Sequence, residues 1–474
     1  MISDKPLAIA AVAGGLLVVA YFVRFGIGRM ADVGFLGGLI FLEILIACLW
    51  KFEQRFFPLM MVAFIWAGIG LPLNSAWTVG RWAVLAAGAV AGFIVWTRRP
   101  RAQFSTIHLI ALFCAASAFA SATTSPLPQM AAFKALSLFL LFIYGAAGAR
   151  AAAFGREAQF FKGLLLGCEI VLYVTAVSYL GGYALWGNPN SLGAVMSVAV
   201  FPVLLWAWFT SDPGAVRWRR LASLLLCFYL VFFSLERAGM AAVAAVTMAF
   251  CLFLGQYKML LKVAVLGIAL AAAIGIASPD TLNRKAESLQ NAVLYKGKTQ
   301  EGGLLGSRRS AWEKTISNVK QHPWLGSGYG TSLTDERTPV GSGNYSSTGE
   351  TAREHGSSYL TIIEWVGFVG IIPFVLMVAL NTFHILRVGL QMRRTGSASH
   401  YSVPLAMVLI AGFVHAGFED WMFAVGYYLC VYFWTLAFVL TDLLPVSSKV
   451  PLPRLVSPYL RPSVIDTGTV AHGR

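Results

Sequence analysis

Apolar runs of 16–28 residues recur through this 474-residue chain, from near its first residue to about residue 442. A helix needs about 20 apolar residues to cross the hydrocarbon core of a bilayer. Charged residues make up only 12% of the chain, and its mean hydropathy is +0.70, whereas about 25% of the residues of a soluble domain are charged. The chain is therefore expected to be an all-α polytopic integral membrane protein.

The apolar runs predict about 12–14 transmembrane helices and one large loop. The first run is interpreted as a span and not as a removed signal peptide, because no small-residue cleavage site and soluble domain follow it. The predicted spans are 7–23, 33–50, 56–73, 82–97, 104–120, 131–148, 160–179, 191–209, 221–235, 238–254, 260–278, 359–386, 401–420 and 421–442.

The basic residues of the connections predict the orientation of these spans. With the N-terminus in the cytoplasm, alternate connections and the C-terminal tail hold twenty Lys and Arg inside, and the short outer connections hold four. Cytoplasmic connections carry such an excess in membrane proteins. Both ends are therefore predicted to be cytoplasmic, and residues 279–358 to form a large outer loop, where ATP and nucleotide sugars are absent.

The net charge of +15 does not point to nucleic acid as a partner, because basic connections that set topology account for it. All six cysteines fall inside apolar spans, without the spacing of disulfides or of a zinc site, and are expected to be small buried hydrophobes.

A polar segment of the outer loop gathers cationic groups. Residues 307–321, SRRSAWEKTISNVKQ, are predicted to form an amphipathic helix with Trp312 and Ile316 on its apolar stripe. Arg308 and Arg309 fall in its first turn, where the helix dipole already favours anions, so that an anionic ligand would dock there. The alternative is a solvated basic helix that lies on the membrane surface.

Three other polar features are predicted to face outward. His355, beside Glu354, lies just before an apolar run, where a histidine can be a base or only a satisfied interfacial residue. Glu236 and Arg237 share a tight turn between two spans, where charges are paired with each other or used in function. In WGNPNSLG (186–193), Asn190 is a candidate cap for the helix that follows.

These features, in this order, resemble the bacterial O-antigen ligase and polysaccharide (Wzy-type) polymerase superfamily of membrane glycosyltransferases. The resemblance covers roughly residues 186–385. It is carried by NPNSLG and ERAGMAA at the heads of two spans, by GSRRSAW…ISNVKQHPWLGSGYG in the outer loop, and by EHGSSYLTIIEWVGFVGI after it.

The resemblance implies a glycosyltransferase that works at the periplasmic face of the bacterial inner membrane. Its donor would be a glycan linked through diphosphate to a polyprenol such as undecaprenol, and its acceptor a second glycan or lipid A–core. No metal and no other cofactor is implied, so arginines would have to neutralise the diphosphate leaving group. Other polysaccharide-assembly proteins are candidate partners.

The resemblance also implies roles for particular residues. His355 matches the family's proposed base, and Arg237 and Arg308 match arginines of the outer turn and the loop. His355 must be neutral to accept a proton; the two arginines are expected to favour that form, and Glu354 to oppose it. Gly356 stands where many relatives have Asn, so that a hydrogen-bond partner of the histidine is either missing or replaced by Ser357. The further substrate-binding candidates are Arg309, Asn190, Glu236, Glu354 and Tyr359.

The exact reaction stays open on the sequence. Polymerisation of O-antigen or exopolysaccharide repeat units is the first hypothesis, and transfer to lipid A–core by an O-antigen ligase is the alternative. A transporter or flippase and a non-catalytic assembly subunit are further alternatives. The predicted organisation is a set of N-terminal spans (1–180), a ligase- or polymerase-like region (181–442) and a disordered cytoplasmic tail (443–474).

Overall fold

The computed structural model describes residues 33–69, 71, 74–98, 104–258, 306–331 and 355–444. These residues form helices joined by turns, with no strand among them, which confirms the predicted all-α class. The predicted spans at 7–23 and 260–278 and nearly all of the predicted tail lie outside the described residues. The helices are α1 (Val33–Trp50), α2 (Phe52–Gly68), α3 (Asn74–Thr97), α4 (Thr106–Ala122), α5 (Pro128–Ala153), α6 (Glu157–Leu180), α7 (Pro189–Phe209), α8 (Ala215–Phe233), α9 (Arg237–Phe253), α10 (Gly306–Gln321), α11 (Ser358–Gly370), α12 (Ile372–Thr395), α13 (Ser402–Ala416) and α14 (Tyr428–Asp442).

Several helices have the length and composition of membrane spans. Among the described residues, five are long and apolar enough to cross a bilayer: most of α3, and α5, α6, α7 and α12. Helices α4, α9, α11, α13 and α14 are apolar but shorter. Large apolar side chains such as Leu166, Ile170 and Val177 are exposed along α6, as expected for a helix that faces lipid.

Helices α13 and α14 form the centre of the bundle. Every residue of α14 from Tyr428 to Leu440 is buried, and the helix contacts α2, α5, α7 and α13. Helix α13 packs along α9 and against α7 and α12. The connection between these two central helices is therefore held at a fixed place at one end of the bundle.

The predicted span 359–386 is wrong as a single helix. The structure kinks it at Gly367, inside α11 and three residues before its end, where φ is 68°. The backbone of the predicted outer loop fills the break: the N–H of Phe368 donates to the carbonyl of Pro323 (2.7 Å), and that of Ser327 to the carbonyl of Glu364 (2.8 Å). Such irregular backbone is tolerated within a membrane protein where it is buried against other protein.

Two glycines allow this close approach of loop and helix. A Cβ on Gly367 would lie 2.4 Å from the backbone carbon of Trp324, and a Cβ on Gly326 would lie 2.3 Å from the carbonyl oxygen of Trp365. Both glycines have a positive φ, a conformation that costs a residue with a side chain additional free energy. The glycines of GSGYG and of the following span are thus explained by backbone contact.

The boundary predicted between the spans 401–420 and 421–442 is also wrong. Helix α13 ends at Ala416 and α14 begins at Tyr428. Residues 417–427 form a folded connection of turns whose backbone is tied to α11, since the N–H of Ser358 donates to the carbonyl of Glu419 (3.0 Å) and its hydroxyl donates to the same oxygen (2.7 Å). Because apolar residues flank and interrupt this connection, the hydropathy pattern does not distinguish it from the two helices.

Connections that the charge pattern assigns to one side of the membrane contact each other. Arg81 donates to the carbonyl of Gly426 (2.9 Å), at one end of the bundle, and the hydroxyl of Thr124 donates to that of Gly326 (3.1 Å). On the opposite assigned side, Arg150 forms an ion pair with Asp442. These contacts agree with the assignment of successive connections to opposite sides of the membrane. Which end of the bundle faces the periplasm stays a prediction.

Candidate active site

The connection between α13 and α14 brings Arg308 and His355 together through two consecutive carboxylates. Glu419 forms an ion pair with Arg308 of α10, and Asp420 binds His355 in the segment before α11. Arg308 and His355 are 47 positions apart in the sequence, so that this connection, and not chain proximity, defines their relative position.

His355 is a buried imidazole between two carboxylates. Its Nδ1 lies 3.2 Å from the Asp420 carboxylate, which also accepts the backbone N–H of His355 at 2.9 Å. Its Nε2 lies 3.6 Å from the carboxylate of Glu364, beyond the range of a good hydrogen bond. The other Glu364 oxygen accepts from the side-chain amide of Asn318 at 3.1 Å. Asp420 thus fixes the ring, and Glu364 faces its second nitrogen.

These neighbours favour the charged form of His355. Burial by itself lowers the pKa of the imidazole, but the hydrogen bond to Asp420 and the adjacent Glu364 raise it above its ordinary value. Burial would likewise raise the pKa of Asp420, yet its bonds with His355 hold that pKa below the ordinary value. The expectation that Arg237 and Arg308 would favour a neutral histidine is therefore wrong, because the two carboxylates dominate.

The side chain of Arg308 packs against Gly356, the residue that follows His355. A Cβ on Gly356 would stand 3.1 Å from Cδ of Arg308 and 3.2 Å from the indole nitrogen of Trp312. The Trp312 indole donates to the carbonyl of Gly356 at 3.1 Å, and Gly356 has φ 72°. A side chain at position 356 would therefore crowd Arg308. The hydrogen-bond partner of His355 is Asp420, and not an Asn at position 356.

Glu419 is a carboxylate with an unusually high affinity for protons. Its burial raises its pKa to about 7, although Arg308 pulls the pKa down. Within that value, repulsion from Glu236 and the adjacent Asp420 acts upward and His415 acts downward. The Arg308 and Glu419 side chains keep 13% and 17% of their surfaces exposed, so that solvent still reaches this ion pair.

Glu236 joins the site through a second histidine. Nε2 of His415 on α13 lies 3.0 Å from Oε1 of Glu236, and Nδ1 lies 2.9 Å from the indole nitrogen of Trp421. Because an indole only donates, Nδ1 must accept, and Nε2 carries the ring proton that is donated to Glu236. The other oxygen of Glu236 has no hydrogen-bond partner among the described residues.

Arg237 and Asn190 lie at this end of the bundle. Arg237 is half-buried and is the first residue of α9, directly after Glu236. The predicted cap at Asn190 is wrong: Asn188 is the cap, and its side chain accepts the backbone N–H of Asn190 at 2.9 Å. Asn190 lies in the first turn of α7, one turn before Gly193, which abuts the carboxylate of Glu236.

Other candidates are held away from the cluster or outside the described residues. Arg309 is 78% exposed and pairs with Glu313 one turn along α10, so the two adjacent arginines are not equivalent. The hydroxyl of Tyr359 donates to the carbonyl of Phe413 at 2.8 Å, so that this side chain links α11 to α13. Glu354 lies outside the described residues.

Sequence reasoning missed most of the acidic side of the site. Glu364 belongs to a motif that carries the resemblance, but the motif assigns its carboxylate no role. His415, Glu419 and Asp420 fall in HAGFEDW (415–421), at the junction of two predicted spans. The available signal was the presence of three ionisable residues at an outer span end, because ionisable groups near the apolar region are commonly functional.

Comparison with known proteins supports the resemblance seen in the sequence. Residues 222–375 match the family model described as O-Antigen ligase, and this stretch contains Glu236, Arg237, Arg308, His355 and Glu364. A search of curated proteins found no match for the chain. The family match over residues 222–375 and the apolar helices long enough to cross a membrane support the resemblance of this chain to the O-antigen ligase and polymerase superfamily of membrane glycosyltransferases.

Proposed function

We propose that this protein transfers a glycan from a polyprenyl diphosphate to an acceptor sugar at the periplasmic face of the inner membrane, and that it polymerises surface-polysaccharide repeat units. The observation that carries the proposal is the arrangement of Arg308 and His355, which neighbouring carboxylates of one connection hold side by side. A cation for the leaving group and an ionisable group for the acceptor are the two functions that such a transfer requires.

Arg308 is the proposed contact for the diphosphate. The guanidinium already binds a carboxylate, Glu419, and the same planar group of donors binds phosphate oxygens in pairs. Arg237, at the N-terminus of α9, is proposed to assist, because the helix dipole favours an anion at that end. Charge that develops on the departing diphosphate would thus be stabilised without a metal.

His355 is the proposed general base. Asp420 holds the Nδ1 side of the ring, which leaves Nε2 as the atom that accepts the proton from the acceptor hydroxyl. That atom faces Glu364 in the structure, so the acceptor is proposed to enter between the imidazole and this carboxylate. Because neighbouring carboxylates raise the pKa of His355, the reactive neutral form is populated only as the pH rises through that raised pKa.

The acceptor distinguishes the polymerase from the ligase. A polymerase would extend the donor's own class of glycan and yield products of many lengths, whereas an O-antigen ligase would attach one chain to lipid A–core. Supplying both acceptors to the same preparation decides between them. A ladder of polyprenyl-linked products would support the polymerase. A single transfer to lipid A–core would instead support the ligase.

The direct test measures transfer by the purified protein in proteoliposomes with a polyprenyl-diphosphate-linked oligosaccharide. Arg308→Ala and His355→Ala are each expected to lower turnover by about 10²–10⁴-fold, the usual contribution of such groups. Arg308→Lys should restore activity only in part, since a lysine cannot make the planar paired contact.

Donor binding separates the two roles. His355→Ala should keep donor affinity close to that of the wild type, whereas Arg308→Ala should weaken it. Lys314→Ala, an exposed residue on the same helix as Arg308, is the matched control and should retain both properties. Arg309→Ala should have only a small effect, because that side chain is exposed and paired with Glu313. Normal turnover by His355→Ala would remove the assignment of the base.

A further inference from the structure

The acidic residues around Arg308 raise a problem for the binding of an anionic donor. Glu236, Glu364, Glu419 and Asp420 all lie in the cluster. The ring of His415 accepts from the Trp421 indole at Nδ1 and faces Glu236 through Nε2, so that it serves one of these four carboxylates. A diphosphate that entered this environment would add negative charge to a site that already holds several carboxylates.

We propose that Glu419 occupies the guanidinium of Arg308 until the donor binds, and that the diphosphate then displaces this carboxylate, which takes up a proton from water. Glu419 would be a positioning residue of the transfer reaction, since it acts through Arg308. The inference rests on the proposed function, because it assumes that the donor carries a diphosphate.

The geometry of the ion pair supports displacement. One carboxylate oxygen of Glu419 binds Nη2 of Arg308, and a phosphate oxygen accepts from a guanidinium N–H in the same way, so that the two anions would compete for the same donor. Both side chains keep a fraction of their surface exposed, 13% for Arg308 and 17% for Glu419. An anion can therefore reach the arginine without unfolding of the neighbouring helices.

The surroundings of Glu419 explain why it would bind a proton when it loses Arg308. From α10 it faces Arg308, from the turn before α9 it faces Glu236, from α13 it faces His415, and beside it lies Asp420. Among these groups, Arg308 and His415 oppose its negative charge, and His415 is already bonded to Glu236. A buried carboxylate without its cation is strongly destabilised, whereas a protonated one is not.

The pKa of Glu419 is consistent with this exchange. It is already raised to about 7 by burial with Arg308 in place, and the loss of the cation to a diphosphate would raise it further. Donor binding above pH 7 would then consume close to one proton. By linkage, the dissociation constant of the donor should rise about tenfold per pH unit above about pH 7.

The test is the pH dependence of donor binding to the full-length protein in nanodiscs. The probe is undecaprenyl diphosphate N-acetylglucosamine, in which both phosphates are esterified, so that its charge is constant between about pH 6 and 9. The wild type should show the tenfold slope. Glu419→Gln should remove the slope and bind the probe about tenfold more tightly than the wild type at pH 8.

A matched control is available on α10. Glu313 also pairs with an arginine, Arg309, but is 63% exposed, and Glu313→Gln should leave the slope unchanged. A Glu419→Gln protein that is folded and keeps the wild-type slope would overturn the proposal. A purely structural role for Glu419 would weaken binding equally at every pH and would overturn it as well.

Proton uptake by the wild type provides a measurement that does not depend on the variant. Calorimetry of probe binding at pH 8 in buffers of different ionisation enthalpy should show uptake of close to one proton, and Glu419→Gln should abolish most of it. Binding without uptake would exclude the exchange even if the variant failed to fold. Absence of probe binding by the wild type at every pH would instead contradict the proposed function itself.

Discussion

The carboxylate of Asp420 accepts two hydrogen bonds from His355, one from the backbone N–H at 2.9 Å and one from ring Nδ1 at 3.2 Å. The first bond fixes the position of the residue and the second fixes the rotation of its ring. Asp420 in turn follows Glu419, which binds Arg308. One dipeptide therefore sets the geometry of the proposed base and of the proposed diphosphate contact.

Asp420→Asn is expected to change the pH dependence of transfer. The substitution keeps an oxygen that can accept the Nδ1–H but removes the negative charge that raises the pKa of His355. The pKa of the histidine should fall, and the acid limb of the turnover–pH profile should move to lower pH. Turnover at its optimum should fall about 10–10²-fold, because the imidazolium that forms when His355 accepts the proton loses its charged partner.

A control for Asp420→Asn is Asp212→Asn, an exposed residue in a turn between α7 and α8. It should leave the profile unchanged. An Asp420→Asn protein whose acid limb stays at the wild-type pH would show that His355 is not the group that titrates.

Gly367→Ala should destabilise the protein through the outer loop. The new methyl group would meet the backbone of Trp324 at 2.4 Å, and the residue would have to keep φ 68°. The expected loss of stability is at least about 2 kcal/mol, measured as a lower thermal unfolding midpoint in detergent. Gly163→Ala in α6 is the control, because nothing lies within 4 Å of its Cβ position.

Gly163→Ala is expected to be neutral or slightly stabilising, since alanine is the better helix former by about 1 kcal/mol. If Gly367→Ala unfolded at the wild-type temperature, the contact between the loop and the helix break would be wrong.

His415→Ala should lower the free energy of unfolding by about 3–5 kcal/mol. The substitution removes the donor to one oxygen of the buried Glu236 carboxylate. The other oxygen already lacks a hydrogen-bond partner among the described residues. Adding Glu236→Gln should recover part of this loss, since the charge that lacks a partner is then gone. A double-mutant cycle on thermal unfolding measures the coupling. Strictly additive effects would argue against a direct interaction of the two residues.

The predicted topology can be tested with cysteines at Ser342 and Ser399. Ser342 lies in the predicted outer loop, outside the described residues, and Ser399 is exposed in the connection between α12 and α13. An impermeant maleimide should label Ser342→Cys in intact spheroplasts and Ser399→Cys only after lysis. The native cysteines give little background because five are buried and Cys48 is partly buried. The reverse pattern would invert the orientation.

The sequence by itself determined the class of the protein and predicted much of the cationic side of the candidate site. Runs of apolar residues long enough to cross a bilayer require helices, because the backbone has no other partners in lipid. Arg308 was recognisable in a local motif of the predicted outer loop, and His355 in a motif just before an apolar span. Local patterns of this kind report the chemistry of a segment and its neighbours along the chain.

Only the tertiary structure decided which carboxylates complete the site and where the helices break. Glu419 and Asp420 meet Arg308 and His355 across 111 and 65 positions of the chain, and the break at Gly367 exists because loop backbone from 323–328 bonds into it. The apolar content of a segment cannot encode such contacts, since a span that continues and a span that breaks expose the same hydrophobic residues. The ionisation of His355 depends on these distant partners for the same reason: burial and charge act through space, not along the sequence.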